Sequence, residues 1–196
     1  MCELLGVSAA MAVRLDRYYD EFRSHAAANP DGWGIAWWDG DEPTVVKEGR
    51  AAHESDLAER VGVDHPPSRT FVVHVRAASV GALTVDNAHP FVGPVGERTW
   101  VFAHNGTVED LAALDPGRFT PTGETDSERA FHHLLTRLER RPAETDAELA
   151  EEVLATAREL SEGENRVNFL LSDGRDLFAW YDLSLIHISE PTRPER

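Results

Sequence analysis

Hydrophobic positions recur along this chain in two rhythms, one of period two and one of helical period, and the rhythm changes along its length. Residues 2–8 (CELLGVS) read as a short buried strand. Leu15, Tyr18, Tyr19 and Phe22 then fall at i, i+3, i+4 and i+7, which predicts a helix. NPDGWG (29–34) reads as a turn, IAWW (35–38) as a strand, and DGDEP (39–43) as a hairpin-type turn into TVVKEG (44–49). ESDLAERVG (54–62) predicts a short helix, which DHPPS (64–68) breaks. TFVVHVR (70–76), β-branched and apolar, is the clearest strand, and TWVFAHNG (99–106) is a second one running into a turn.

Helical spacing dominates the next stretch. In TDSERAFHHLLTRLERR (125–141), Ala130, Phe131, Leu134, Leu135 and Leu138 share one face, and Thr125 with Glu128 fits a capping box. TDAELAEEVLATARELSEG (145–163) repeats the device with Thr145 and Glu148, and Gly163 supplies a stop. RVNFLLSD (166–173) and DLFAWYD (176–182) predict a hairpin around Gly174-Arg175. Strands, then helices, then strands again predict an α+β class of stacked, mainly antiparallel sheet and helix, not a regular βαβ alternation. There is no internal repeat and no glycine-rich phosphate loop.

Composition narrows the classes. With 196 residues, 41% of them hydrophobic and 28% charged, the chain suits one soluble globular domain, burying roughly 70% of its unfolded surface. Its net charge of −16 disfavours nucleic acid and anionic membrane as partners. No apolar run approaches the ~20 residues of a membrane span. The single cysteine cannot form an internal disulfide, so a cytoplasmic location is expected.

That cysteine, Cys2, directly follows Met1. Removing Met1 would leave it a free α-amine of ordinary pKa about 7.7–8.0, close to the working range of a general base. An N-terminal thiol then carries its own base on its own backbone, although isolated cysteines are commonly inert core residues. Three further segments bear on this. Arg76 ends the clearest strand, where a guanidinium can grip a carboxylate bidentately or simply be solvated. The side-chain amide of Asn105 and the backbone N–H of Gly106 can converge on one oxygen as an oxyanion hole, or mark a type I′ turn. Asp126 in the first turn of a capped helix complements its dipole, or receives an ammonium group. Together they offer a nucleophile, a base, an oxyanion hole, a carboxylate reader and an amine reader, and glutamine fits that set.

MCELLG, PDGWGIA, HVRAAS-x-G followed by NAHPF, AHNGTVED and ETDSE occur in that order. Over nearly all of residues 2–183 the chain resembles the class II glutamine amidotransferases, most closely the stand-alone branch. The resemblance implies a four-layer αββα N-terminal-nucleophile fold of two mainly antiparallel sheets. It implies Cys2 as nucleophile, Asn105 and Gly106 as oxyanion hole, Arg76 on the glutamine α-carboxylate and Asp126 on its α-amine. Ser79 falls in the glutamine-loop segment, His89 matches a motif histidine near the site, and the backbone around Gly32 and Trp33 lines it. Val80 replaces a histidine of the synthase-fused members. No cofactor is implied. The partners implied are glutamine and an ammonia-accepting chain.

Two other functions are weighed. One is hydrolysis of a different γ-glutamyl amide, as in the related hydrolase of ergothioneine synthesis. The other is a non-catalytic or metal-binding interaction module. Against the latter, no HExxH motif or cysteine pair is present, and His74 and His104 sit in apolar strand contexts.

SLIHISEPTRPER (184–196) breaks the pattern of the rest. It reads as translated sequencing-adaptor read-through, which makes 2–183 the native domain, 184–196 a non-native tail and the fold's own C-terminal strands missing; the alternative is a genuine flexible tail. Sequencing the locus is expected to show the native frame departing near Leu183. An uninterrupted native frame through this segment would refute that origin.

Overall fold

The structure, a computed structural model, describes residues 2–78 and 81–181, and the backbone of 184–188. Ser79 and Val80 lie outside the described residues. Strands β1 (Glu3–Val13), β2 (Trp33–Trp38), β3 (Pro43–Glu48) and β4 (Ser68–Val75) form one antiparallel sheet in the order β1-β4-β2-β3. Strands β5 (Phe91–Val95), β6 (Arg98–Thr107), β7 (Arg166–Ser172), β8 (Leu177–Tyr181) and β9 (Ser184–Ile188) form a second, in sequential order. Helices α1 (Asp16–Ser24) and α2 (Asp56–Asp64) belong to the first half, α3 (Asp126–Arg140) and α4 (Asp146–Leu160) to the second.

Alternation along the strands builds the layers. Phe71, Val73 and Val75 of β4 pack with Leu15, Tyr19 and Phe22 below α1 and with Ala58 and Val61 of α2. Their neighbour Val72, with Ala36 and Trp38 of β2, faces the other way and meets Val101, Ala103, Leu170 and Leu177 of the second sheet. The far side of that sheet, Trp100, Phe102, Phe169, Leu171 and Phe178, packs on Phe131, Leu134 and Leu135 of α3 and Val153 of α4. The result is helix, sheet, sheet, helix. Buried on both faces, β2 has no polar side; every one of its residues is buried.

Several local expectations need correction. Tyr18 is 68% exposed and Leu15 is the residue before α1, so the helix itself buries Tyr19 and Phe22 of the four predicted apolar positions. Trp33 and Gly34, read as turn, open β2. The sequence reading missed β5, whose Gly93 and Pro94 depress strand propensity. As an edge strand β5 tolerates Pro94, and a Cβ on Gly93 would lie 2.4 Å from Leu135 Cδ1 of α3. Asn105-Gly106 is not a turn, because β6 continues through Thr107. Thr145 and Glu148 make the full reciprocal capping box. At α3 only half of it forms: Thr125 accepts from Glu128 N–H, while the Glu128 carboxylate takes the N–H groups of Thr122 (2.9 Å) and Gly123 (2.7 Å). Residues 184–188, expected to stand outside the pattern, pair antiparallel with β8 as an edge strand.

Phe102 ties the second sheet to its helices. It is fully buried, with its ring 5.3 Å from Phe131 and 5.4 Å from Phe169. Truncating it leaves a cavity that rigid strands cannot close. Phe102→Ala is expected to cost about 3–5 kcal/mol in urea unfolding, against at most about 1.5 for Phe102→Leu.

Candidate active site

Strand pairing positions Cys2. Glu3 stands opposite Val75, so the residue before β1 meets the residues after β4. There the Ala77 N–H donates to Cys2 Sγ at 3.2 Å, and the thiol lies 3.3 Å from the Ala77 carbonyl. The segment after β4 is itself clamped by the PDG turn. Arg76 N–H donates to the Gly32 carbonyl at 2.8 Å, Asp31 N–H to the Arg76 carbonyl at 2.9 Å, and Ala78 N–H to Asp31 Oδ2 at 2.7 Å. Gly32 has φ +153°, and a Cβ there would lie 3.2 Å from the Glu48 carbonyl.

Asn105 and Gly106 come from β6, opposite Asn168 and Val167 of β7. The strands approach so closely that a Cβ on Gly106 would lie 1.8 Å from the Arg166 carbonyl oxygen; no side chain fits. Asp126 begins α3, where its Oδ2 accepts from Val108 N–H at 2.7 Å. That bond ties the loop after β6 to the helix and aims the carboxylate from the helix N-terminus.

These elements enclose a cleft of about 270 Å³. Cys2, Arg76, His89, Asn105, Gly106 and Asp126 all line it. Gly32 and Trp33 do not: Gly32 supports Arg76 from behind, and Trp33 is buried in the first core with its Nε1 donating to Glu48 Oε2 at 3.1 Å. Ser79 lies outside the described residues. The sequence reading missed Asp31, Ser127, Arg166 and Asn168, of which the last three line the cleft. A polar residue at an inward strand position, as at Asn168, was the available signal.

Burial sets the charges. It pushes the Cys2 thiol above its ordinary value, opposed by the Ala77 N–H and the Arg76 guanidinium. Arg76, itself 3% exposed, is lowered by burial, and the negative potential of Cys2, Asp31 and Asp126 works against that. Three buried imidazoles lie alongside. His74 Nε2 is 3.2 Å from the His104 carbonyl, His104 Nδ1 is 2.9 Å from Ser127 Oγ, and the His74 and His89 rings lie 4.2 Å apart. Burial lowers all three, His74 to about 3 and His89 well below its ordinary value. Among the described residues no group of His, Cys, Asp and Glu has the arrangement of a metal site, and no helix is long and apolar enough to cross a membrane.

The sequence model described as "Glutamine amidotransferases class-II" matches residues 1–194. A protein of Methanocaldococcus jannaschii is 36% identical over 182 residues, covering 93% of this chain and 51% of its own length. YafJ of Escherichia coli K12 is 34% identical over 192 residues, covering 94% of this chain and 74% of its own. The crystal structure of a predicted glutamine amidotransferase from Pseudomonas aeruginosa PA01 superposes with a TM-score of 0.66 at 29% identity, over 92% of this chain and 72% of that one. This chain thus spans between half and three quarters of the length of these proteins.

The buried imidazoles link folding to pH. An unfolded histidine takes up a proton near pH 6.5, whereas folded His74 does so only near 3, with His89 and His104 also lowered. Below pH about 6.5 the unfolded chain therefore binds protons that the folded one does not, so stability falls as pH falls. Each of these histidines adds a slope of up to about 1.4 kcal/mol per pH unit, and His132 and His133, lowered by burial too, act in the same direction. Urea unfolding between about pH 7 and pH 5 is expected to show this decline, shallower in His74→Gln. An unchanged stability across that range would contradict the neutral cluster.

Proposed function

The chain belongs to the class II glutamine amidotransferases, and from that premise we propose that it hydrolyses the side-chain amide of glutamine through Cys2. Removal of Met1 frees the Cys2 α-amine, which takes the thiol proton. The thiolate attacks the amide carbon. The oxygen gains negative charge and is held by the Asn105 side-chain amide and the Gly106 N–H. The amine passes its proton to the departing nitrogen, the carbon–nitrogen bond breaks, and ammonia leaves a γ-glutamyl thioester. Water, deprotonated by the same amine, then attacks the thioester and releases glutamate and the thiol.

Arg76 holds the α-carboxylate of the substrate and Asp126 its α-ammonium group. His89 walls the same cleft, and Ser79 belongs to the loop that follows Arg76. Gly32 and Trp33 contribute through the backbone that supports this loop. The observation that carries the reading is the meeting of Cys2, Asn105, Gly106, Arg76 and Asp126 at one cleft, although Cys2 precedes β1, Arg76 follows β4, Asn105 and Gly106 lie on β6 and Asp126 begins α3. At about 270 Å³ the cleft is of amino-acid size, just under the roughly 300–1,000 Å³ usual for larger ligands. A reducing cytoplasm suits a free thiolate. The ammonia acceptor is a partner chain or a further part of a longer protein.

A second reading has one observation in its favour. Cys2 also borders a neighbouring hollow of about 560 Å³, with Glu3, Arg166 and Tyr181 on its wall. That hollow has room for a leaving amine larger than ammonia, so another γ-glutamyl amide is the alternative substrate. A ratio of kcat/KM favouring a γ-glutamyl arylamide over glutamine would select it.

Glutamate release from glutamine by the mature protein is expected to disappear in Cys2→Ala. It is expected to fall about 10²–10³-fold in Asn105→Ala. Arg76→Ala is expected to raise KM for glutamine. Equal rates in wild type and Cys2→Ala would refute the mechanism, and an Arg76→Ala effect on turnover alone would refute the carboxylate clamp. Mass spectrometry of the N-terminus is expected to show Met1 removed.

A further inference from the structure

Resting on the reading above, we infer that Asn168 is a positioning residue: its side-chain nitrogen fixes the Asn105 strand and its side-chain oxygen receives a hydrogen bond from the Cys2 α-amine. Asn168 lies on β7 directly opposite Asn105, the proposed oxyanion donor. Its Nδ2 donates to the Asn105 backbone carbonyl at 2.9 Å. A carbonyl oxygen only accepts, so this bond determines which end of the amide faces Asn105. Oδ1 must point elsewhere, and it is buried without a hydrogen-bond partner among the described residues.

A buried acceptor left unmatched is unfavourable, and its surroundings indicate the donor it serves. Asn168 borders both the cleft and the neighbouring hollow, and so does Cys2. The free α-amine that appears when Met1 leaves would therefore arise beside this oxygen. A neutral primary amine has two hydrogens and one lone pair. Giving one hydrogen to Oδ1 restricts its rotation, so that the lone pair can be held toward Sγ, and accepting from the amine makes it more basic. One side chain would thus set both the base and the oxyanion hole.

Other charges also face this amine. Arg76 after β4 and Arg166 on β7 oppose its protonation, while Glu3 of β1 and Asp126 of α3 favour it. Glu3 is already engaged by His25 Nδ1 at 2.6 Å. His89 and His104 are held neutral by burial, and Tyr181 of β8 lines the hollow. Asn168 differs from all of these in being an uncharged acceptor that can be given a charge with almost no change of shape.

The test uses mature protein with Met1 removal verified by mass, as wild type, Asn168→Ala and Asn168→Asp, each checked for folding by circular dichroism. Two pH profiles are recorded: kcat/KM for glutamine, and the rate of Cys2 alkylation by iodoacetamide. Asn168→Asp is expected to move the acid limb of both profiles up by about 1–3 pH units. Asn168→Ala is expected to move it down and to lower kcat up to about 10²-fold, with KM for glutamine little changed. Asn168→Val replaces the alanine variant if that fails to fold. Limbs that stay in place, or that move the same way in both variants, overturn the inference, because a merely structural asparagine would lower rates without shifting either limb. The alkylation profile does not depend on glutamine turnover. Opposite shifts there in a protein that fails to hydrolyse glutamine would therefore support the inference while rejecting the proposed substrate.

Discussion

Antiparallel pairing between β1 and β4 is the constraint on which the rest of the structure depends. It spans Glu3↔Val75 through Ser8↔Thr70 without interruption and shifts only beyond Ser8. A strand pair in register determines which residue meets which, and a slip of one would turn every side chain to the other face. Here the register delivers the residue ahead of β1 to the two N–H and C=O groups that follow β4, which hold the sulfur. Arg76 directly follows the same β4, so the Cys2 thiol and the guanidinium are placed by one pairing. The first hydrophobic core serves mainly to keep that register, since Val73, Val75 and Phe71 all face the helices from β4.

The second sheet meets this assembly through an unusually polar seam. Between the sheets the packing passes from Val72, Ala36 and Leu170 at one end to His74, His89 and Asn168 at the other. Burying polar groups is costly unless they are hydrogen-bonded, and several atoms here have no partner among the described residues, including both ring nitrogens of His89. Such a seam weakens the sandwich as a fold and prepares it as a site, because a ligand can supply the missing bonds. The glycines follow the same logic. Gly106 lets β7 approach the proposed oxyanion corner, and a Cβ on Gly34 would lie 2.1 Å from the His89 carbonyl, so each removes a side chain where two backbones must meet.

Much of this was legible in the sequence, and the reasons for the rest are local. The four helices, the central strands and the α+β layering followed from periodicity, because each element buries a face whose spacing the chain must repeat. Five chemically suggestive positions, Cys2, Arg76, Asn105, Gly106 and Asp126, reached one cleft. The fate of Asn105-Gly106 was not legible, because a preference for tight turns is a backbone tendency that β7 overrides by pairing with it. Trp33 was misassigned for a related reason: next to Gly32 and Gly34 it resembles turn, yet its indole fills the core below α1. Asn168 was unreadable, since its meaning lies in the strand opposite. Residues 184–188 pair with β8 through backbone hydrogen bonds, which any apolar, extended segment can offer whatever its origin.

These same burial effects bear on the proposed base. The cleft is lined by two histidines and backed by a third, which at first sight makes imidazole the natural proton acceptor. A general base works best when its pKa lies near the working pH. His74 is held near 3, and burial lowers His89 and His104 as well, so at neutral pH all three have little affinity for a proton. The thiol itself is raised by burial, so it gains from a neighbouring base. Arg76 is lowered by burial but is held by the negative potential of Cys2, Asp31 and Asp126, and a guanidinium is a donor with no acceptor to offer. An α-amine of ordinary pKa about 7.7–8.0 meets the requirement that none of these side chains does. The burial that makes these histidines poor bases leaves the α-amine of a mature Cys2 as the group best suited to the proposed proton transfer, which would then wait on the loss of Met1.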